Sequence, residues 1–388
     1  MVDKQNRLQA WVFPGTPATP NDTQLNWPAL QERFSWLRAM DGVPQNPVYH
    51  AEGDVLIHTR MVTEAMLALG EWREHPLVDR QVLFAAAMLH DVGKPACTVS
   101  ETDGRMSSRG HARKGEKITR RLLWLGEELL APAPFVLREQ IAGLVRWHGL
   151  PLQFLDKPDP VHAIIEASQS VRLDHIALLA EADVRGRMCP DQQGLLDLVA
   201  LFREFCQEQA CYTAPRAFAN EHSRFAYLQS ERGDPDCAAY DDTECEVIVL
   251  AGLPGAGKDT WIGKNVPDWP VISLDSVRRE LGISPEDDQG QVVQAARERA
   301  RELLRRQRSF VWNATNITRM MRRCVIDLAL VYHARVRLVY VEAPFADILS
   351  RNRARQASVP ERVMSRLLNN LEMPHVGEAH HVEWVQSA

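Results

Sequence analysis

Two sets of residues in this chain have the types and spacing for phosphate chemistry. The first is the run 252–260, Gly-Leu-Pro-Gly-Ala-Gly-Lys-Asp-Thr, which has the form G-x-x-x-x-G-K. Glycines let backbone amides approach a polyphosphate, and the lysine adds a point charge. Gly252, Leu253, Pro254, Gly255, Ala256, Gly257, Lys258, Asp259 and Thr260 are therefore the expected cradle for ATP or another nucleoside triphosphate with Mg²⁺. Asp259 departs from the pattern, because a Ser or Thr at that position normally offers Mg²⁺ a hydroxyl. The second set is His58, the pair His90-Asp91, His111, His148 and Asp183. Several of them end or interrupt apolar runs, where imidazole and carboxylate are costly unless something satisfies them. Their mixed nitrogen and oxygen donors suit Mn²⁺, Fe²⁺, Co²⁺, Ni²⁺ or Zn²⁺, and six such residues are enough for two ions. Ions of this kind acidify water and neutralise phosphoryl oxygens, so hydrolysis there needs no protein nucleophile. The other histidines (75, 162, 175, 222, 333, 375, 380 and 381) fit no ligand pattern and are expected at the surface or in caps.

Beside the phosphate loop, Asp275 and Arg278 follow the run Val-Ile-Ser. A carboxylate there could accept a proton from an attacking hydroxyl while the arginine grips a neighbouring phosphate; alternatively, Asp275 caps the next helix. Arg351 and Arg355 are four apart, and on a helix they would share a face and could close over a transferring phosphoryl group. An arginine pair is also compatible with plain solvated surface. The run Arg297, Arg299, Arg301, Arg305, Arg306 and Arg308 reads either as a solvated helix face or as a track for a nucleic-acid backbone.

These residues need elements to hold them. Apolar spacing of three and four predicts helices over 55–69, 78–91, 114–130, 135–147, 174–183 and 195–208, with a further helical pattern from Trp27 to Met40 and no convincing strand among them. After residue 246 the pattern alternates: strand 247–251, phosphate loop, short helix 260–265, strand 271–274, helix 290–306, strand 310–313, helix 320–333 and strand 336–341. Such alternation implies a parallel sheet sandwiched by helices. The fold class is therefore multidomain α and α/β: an all-α N-terminal domain over 1–229, an acidic linker over 230–245, and an α/β domain over 246–388. A length of 388 residues agrees with two domains, and a net charge of -6 leaves any nucleic-acid contact to a local patch. Seven cysteines without a C-x-x-C pair, no apolar leader and no long apolar run lead us to expect a cytoplasmic protein with reduced thiols and no membrane contact.

The order His58, His90-Asp91, Asp183 resembles the HD phosphohydrolase superfamily over roughly residues 48–210. The segments His50-x-Glu-Gly-Asp54, His58-Thr59 and His-Asp-Val-Gly-Lys94 are similar to HD domains that hydrolyse phosphate esters and cyclic phosphodiesters. The resemblance implies a second metal at His111 and His148, and Lys94 holding a substrate phosphate. Over residues 246–370 the chain resembles the polynucleotide 5′-kinase family: phosphate loop, Asp275-x-x-Arg278, Thr315-Asn316, then a lid bearing Arg351 and Arg355. That likeness implies Asp275 as general base for a 5′-OH and Arg278 as a contact to the adjacent 3′-phosphate. Asn313 stands where many relatives carry an aspartate, and Asp259 could restore that charge near Mg²⁺, with Thr260 supplying a hydroxyl. Together the two halves resemble bacterial enzymes that heal RNA ends, removing 2′,3′-cyclic or terminal phosphates and phosphorylating 5′-OH ends, with a separate RNA ligase as the expected partner. A nucleotide phosphohydrolase fused to a metabolite kinase, and an ATP-gated regulatory protein, remain alternatives at this point.

Overall fold

The computed structural model describes residues 10–102, 104–230, 233–284, 286–355 and 358–387. The chain divides into two compact units, Met1–Ala217 and Phe218–Ala388.

In the first unit five helices carry the candidate metal ligands: α1 (Val55–Ala68), α2 (Leu77–Leu89), α3 (His111–Leu125), α4 (Phe135–Trp147) and α5 (Leu173–Arg185). Asp54 starts α1 by accepting from Ile57 N, and left-handed Gly126 stops α3. Every residue of α2 from Arg80 to Leu89 is buried, as is nearly all of α5, so these two form the centre against which α1 and α4 pack. The helical pattern from Trp27 is broken at buried Phe34, whose extended backbone separates Trp27–Arg33 from Ser35–Arg38. A helix at Pro160–Ser168, capped by Asp159, and a small antiparallel pair, Val99–Ser100 with Met106–Ser107, add to the expected elements.

The second unit is built on five parallel strands, β1 (Cys245–Ala251), β2 (Val271–Ser273), β3 (Phe310–Asn313), β4 (Ala334–Glu342) and β5 (His381–Gln386), in the order β2-β3-β1-β4-β5. Ile248, Leu250, Val311, Val339 and Val341 form one core face against Trp261 and Ile262 of α6 (Lys258–Asn265). The unit starts before the acidic segment. Helix Glu221–Gln229 belongs to it, with Arg224 donating to His380 O (2.9 Å) and Gln229 to Gly377 O (2.6 Å). Of the expected linker 230–245, Glu231 lies outside the described residues, while Asp241 accepts from Arg335 (2.8 Å) and Asp242 pairs with His333 (2.6 Å). These acids are tied down by basic partners within the unit, so the units part at 217–218 instead. Among the described residues no helix is long and apolar enough to cross a membrane.

Candidate active sites

The helix ends of the first unit converge. His90 and Asp91 leave the C-terminus of α2, His58 sits one turn into α1, Asp183 lies in the last turn of α5, His111 opens α3, and His148 follows α4. Gly93 makes the approach possible, since a Cβ there would stand 2.1 Å from the His111 carbonyl oxygen. His58 Nε2 is 3.1 Å from Asp183 Oδ1, 3.4 Å from His90 Nε2 and 3.7 Å from Asp91 Oδ2. On its other side, Asp91 Oδ1 faces His111 Nε2 at 3.4 Å and His148 Nε2 at 3.9 Å. Asp91 thus stands between two groups of donors, and its expected four-residue and two-residue sets share this one carboxylate.

The ring nitrogens show what the site is built to hold. His90, His111 and His148 each place Nδ1 2.8 Å from a backbone carbonyl, of Ala87, Ser108 and Val145. A carbonyl only accepts, so each ring carries a proton on Nδ1, and Nε2 is the nitrogen left to offer a lone pair once the ring is neutral. His111 and His148 bring those Nε2 atoms to 3.2 Å, and buried Asp91 Oδ1, facing the same point, has no hydrogen-bond partner. Lone pairs and a carboxylate oxygen facing one another fit a shared cation, and the N/O donor set is that of a divalent transition metal.

Charge in the site is balanced by the chain itself. Burial opposes ionisation of Asp91 and Asp183, but Lys94 and His90 beside the first, and Arg187 and His58 beside the second, hold both carboxyls well below the usual range. Burial together with nearby His111 pushes His148 down to about 3, which keeps it a neutral donor. Lys94 Nζ bonds Asp91 Oδ2 (2.7 Å) and Gln45 Oε1 (2.6 Å), and Arg187 grips Asp183 through two nitrogens (3.0 and 2.5 Å). Glu52 Oε1 lies 2.8 Å from His50 Nδ1 and 2.8 Å from His58 Nδ1, while its second oxygen accepts from Met188 N. The contact to His58 is a hydrogen bond in distance but not in angle, and the proximity of the carboxylate still favours a proton on that nitrogen. Gln45, Glu52 and Arg187 contact the candidate ligands and were not singled out by spacing. The segment His50-x-Glu52 carried the only signal for any of them.

Three of the remaining histidines are not surface residues as expected: His175, His222 and His380 are buried. His175 lies near His75 and Asp79, but Arg172 already donates to Asp79 (3.1 Å) and Asp174 (2.6 Å), so this group is closed by its own cation. His380 Nδ1 accepts from Val336 N (3.0 Å), and His375 caps the turn Val376–Glu378.

In the second unit, β1 delivers the chain into the phosphate loop and α6 begins at Lys258. Gly252, Gly255 and Gly257 have positive φ, and a Cβ on Gly252 would stand 2.2 Å from the Val341 carbonyl oxygen. Lys258 folds across the loop, donating to Gly252 O (2.9 Å) and Leu253 O (3.0 Å), and burial pushes its pKa down to about 8. Ser273, not Asp275, caps the helix α7 (Leu274–Glu280). Relieved of that role, Asp275 is paired to Arg278 (2.5 Å) with its side chain 68% exposed, open to an incoming hydroxyl. Arg278 also donates to Gln289 Oε1 (2.7 Å).

The lid departs from expectation. Helix α8 (Phe345–Arg353) carries Arg351, but it ends before Arg355, so the two arginines do not share a helical face. The Asn352 side chain exchanges hydrogen bonds with Val359 O (2.7 Å) and Val359 N (3.0 Å), which turns the chain away. Arg351 still reaches Ser387 Oγ (3.2 Å) beside Gly257, and the charge of Arg355 acts on Lys258. Asn316, with φ of 43°, ties its loop to β1 through Leu250 O (2.7 Å), and Thr315 O accepts from Gly252 N (2.9 Å). In the arginine run, Arg299 pairs with Glu280 and Arg301 with Glu298, which favours the solvated face.

A family model described as HD domain matches residues 55–168, and one described as AAA domain matches residues 247–374. A multifunctional CCA protein of Thioalkalivibrio sulfidiphilus is 30% identical over 178 residues, 45% of this chain and 40% of the relative. Its counterpart in Halorhodospira halophila is 33% identical over 164 residues, 41% of this chain and 36% of the relative. The chain thus spans less than half the length of these curated relatives. A gluconokinase structure from Sinorhizobium meliloti aligns over 37% of this chain and 83% of its own at 22% identity, with a TM-score of 0.29, too low to carry an argument. The chain joins a helical unit that matches the HD domain model to a unit that matches the AAA domain model, whose phosphate loop leads from a parallel five-stranded sheet flanked by helices.

Proposed function

We propose that this chain heals RNA ends: the HD domain hydrolyses 2′,3′-cyclic or terminal phosphates, and the P-loop domain phosphorylates 5′-OH ends. The observation that carries the reading is the exposed Asp275 paired to Arg278 beside Lys258. A base with an arginine one helical turn away suits a hydroxyl that has a phosphate as its neighbour, which is the chemistry of a polynucleotide end. Lys258 and the loop amides hold the donor phosphates, Arg351 and Arg355 supply charge near the transferring group, and Asp275 takes the proton from the 5′-OH. The loop glycines and oxygen donors of Asp259 and Thr260 fit a nucleoside triphosphate with Mg²⁺.

In the HD domain His58, His90, Asp91 and Asp183 would hold one divalent ion, and His111 and His148 with Asp91 a second. Such ions supply ionised water at neutral pH and neutralise phosphoryl oxygens. Glu52 and the backbone carbonyls orient the imidazoles, Arg187 steadies Asp183, and Lys94 offers its ammonium to a substrate phosphate. The name borne by the curated relatives points to RNA as the substrate class. One water opens a 2′,3′-cyclic phosphate to a terminal phosphomonoester, and a second releases it as inorganic phosphate; the products are then a 3′-OH and a 5′-phosphate, so a separate RNA ligase is the expected partner.

The test supplies γ-labelled ATP with a 5′-OH oligoribonucleotide, and separately a 2′,3′-cyclic-phosphate oligoribonucleotide with Mn²⁺, Co²⁺ or Ni²⁺. Lys258→Ala and Asp275→Ala are expected to abolish only the first reaction and Asp91→Ala only the second. A wild-type chain that phosphorylates nucleosides or sugars and leaves the oligonucleotide untouched would refute the reading.

A further inference from the structure

Asn313 ends β3 between β1, which leads to the phosphate loop, and β2, which leads to Asp275. Its Nδ2 donates to Asp259 Oδ1 at 2.7 Å. Two departures from the usual loop therefore meet in one contact. An aspartate at each position would bring carboxylate oxygens within hydrogen-bond distance, and two carboxylates so close cannot both ionise. The amide removes that conflict. It fixes the Asp259 carboxylate by a hydrogen bond while adding no charge.

The consequence lies in the net charge of the cradle. A hydroxyl after the loop lysine is neutral, so such a cradle offers a polyanion one positive side chain. Here Lys258 is followed directly by Asp259 in the first turn of α6, and the pair is electroneutral. Asp259 attracts the Lys258 charge, and no second partner takes up its carboxylate among the described residues. A metal-free nucleotide would meet that carboxylate at close range, a repulsion that Arg351 beside Gly257 and Arg355 near Lys258 offset only in part. A magnesium nucleotide brings the cation for which the carboxylate, an oxygen donor, is a ligand.

We propose that Asp259, held by Asn313, is a metal gate: it moves the acid of the Mg²⁺ seat onto the phosphate loop, so that the loop excludes metal-free nucleotide and admits only the magnesium complex. This rests on the reading of the Lys258 loop as a nucleotide site and is independent of what accepts the phosphoryl group.

The test measures ADP binding to the full chain by calorimetry, with Mg²⁺ and with EDTA, in the absence of any acceptor. The wild type is expected to bind ADP at least about tenfold more tightly with Mg²⁺. Asp259→Asn and Asp259→Ser should each strengthen metal-free binding by about tenfold, the size of one close charge interaction in a partly solvated site. Asn313→Asp should weaken magnesium-nucleotide binding, and adding Asp259→Ser to it should restore that binding, a rescue that loss of packing at either residue would not give. Equal wild-type affinity with and without Mg²⁺, or Asp259 variants whose metal-free affinity stays within about twofold of wild type, overturns the gate while leaving the nucleotide site intact. Absence of ADP binding under every condition removes the nucleotide site, and the gate with it.

Discussion

The substitution Asp91→Asn tests the HD site where it is most exposed to refutation. In the metal-free protein two carboxylates, Asp91 and Asp183, are set against two cations, Lys94 and Arg187. The substitution leaves Arg187 paired and the Lys94 ammonium with neutral amide oxygens but no counter-charge, in a site where Asp91 is 1% exposed and Lys94 8%. Removing one partner of a buried pair costs about 3 kcal/mol or more. In a unit of this size that corresponds to a fall in Tm of roughly 6 to 12 °C. Unfolding in chelator should show this loss, and Asp91→Asn with Lys94→Met should recover most of it, because the stranded charge is gone. Metal content is the second readout. The His111–His148 pair has no carboxylate other than Asp91 within reach in the described structure, whereas His58 keeps Asp183 at 3.1 Å. Bound divalent ion measured after Mn²⁺ loading and dialysis should therefore fall by half or more. A variant that keeps its full ion content, or a double variant no more stable than the single one, would refute the shared-carboxylate arrangement.

Three further outcomes are expected. Lys258 titrates near 8 when the loop is free, and a bound phosphate favours its charged form; nucleotide binding at about pH 8.5 should take up a proton, and affinity should fall as pH rises above 8, which calorimetry in buffers of unlike ionisation heat will detect. Glu52→Gln weakens the hold on His58 and His50, so metal affinity should drop about 10- to 100-fold with the fold intact, as read by competition with a chromogenic chelator. Burial, with help from His222, pushes His380 down to about 4, below the value in the unfolded chain. The stability this confers is complete above about pH 6.5 and is lost as pH falls toward 4, on the order of 1 to 2 kcal/mol, and His380→Asn, which keeps an acceptor for Val336 N, should flatten that pH dependence in denaturant unfolding.

Much of the machinery could be read from local signals. The phosphate loop is a contiguous motif, and strands such as Phe310–Asn313 and helices such as Phe135–Trp147 follow from hydrophobic periodicity. The candidate His and Asp ligands announced themselves by standing next to apolar runs. What escaped depends on contacts between distant parts of the chain. Glu52 matters because Met188 and His58 come to it, and Arg187 because Asp183 needs a counter-charge. The strand His381–Gln386 breaks the polar–apolar alternation at Trp384-Val385 and is identified only by pairing with β4. Arg355 leaves the lid helix because Asn352 is latched to Val359, which no helical spacing could reveal. Asp259 and Asn313 were each visible as departures, and only their 2.7 Å contact makes them one feature.

The most direct test of the account uses one RNA carrying a 5′-OH and a 2′,3′-cyclic phosphate, incubated with the intact chain, γ-labelled ATP, Mg²⁺ and Mn²⁺. A labelled 5′-phosphate and a free 3′-OH are expected on the same molecule, with Lys258→Ala losing only the label and Asp91→Ala only the 3′ conversion. An RNA recovered with both ends unchanged, while the chain still hydrolyses or phosphorylates small metabolites, would contradict it.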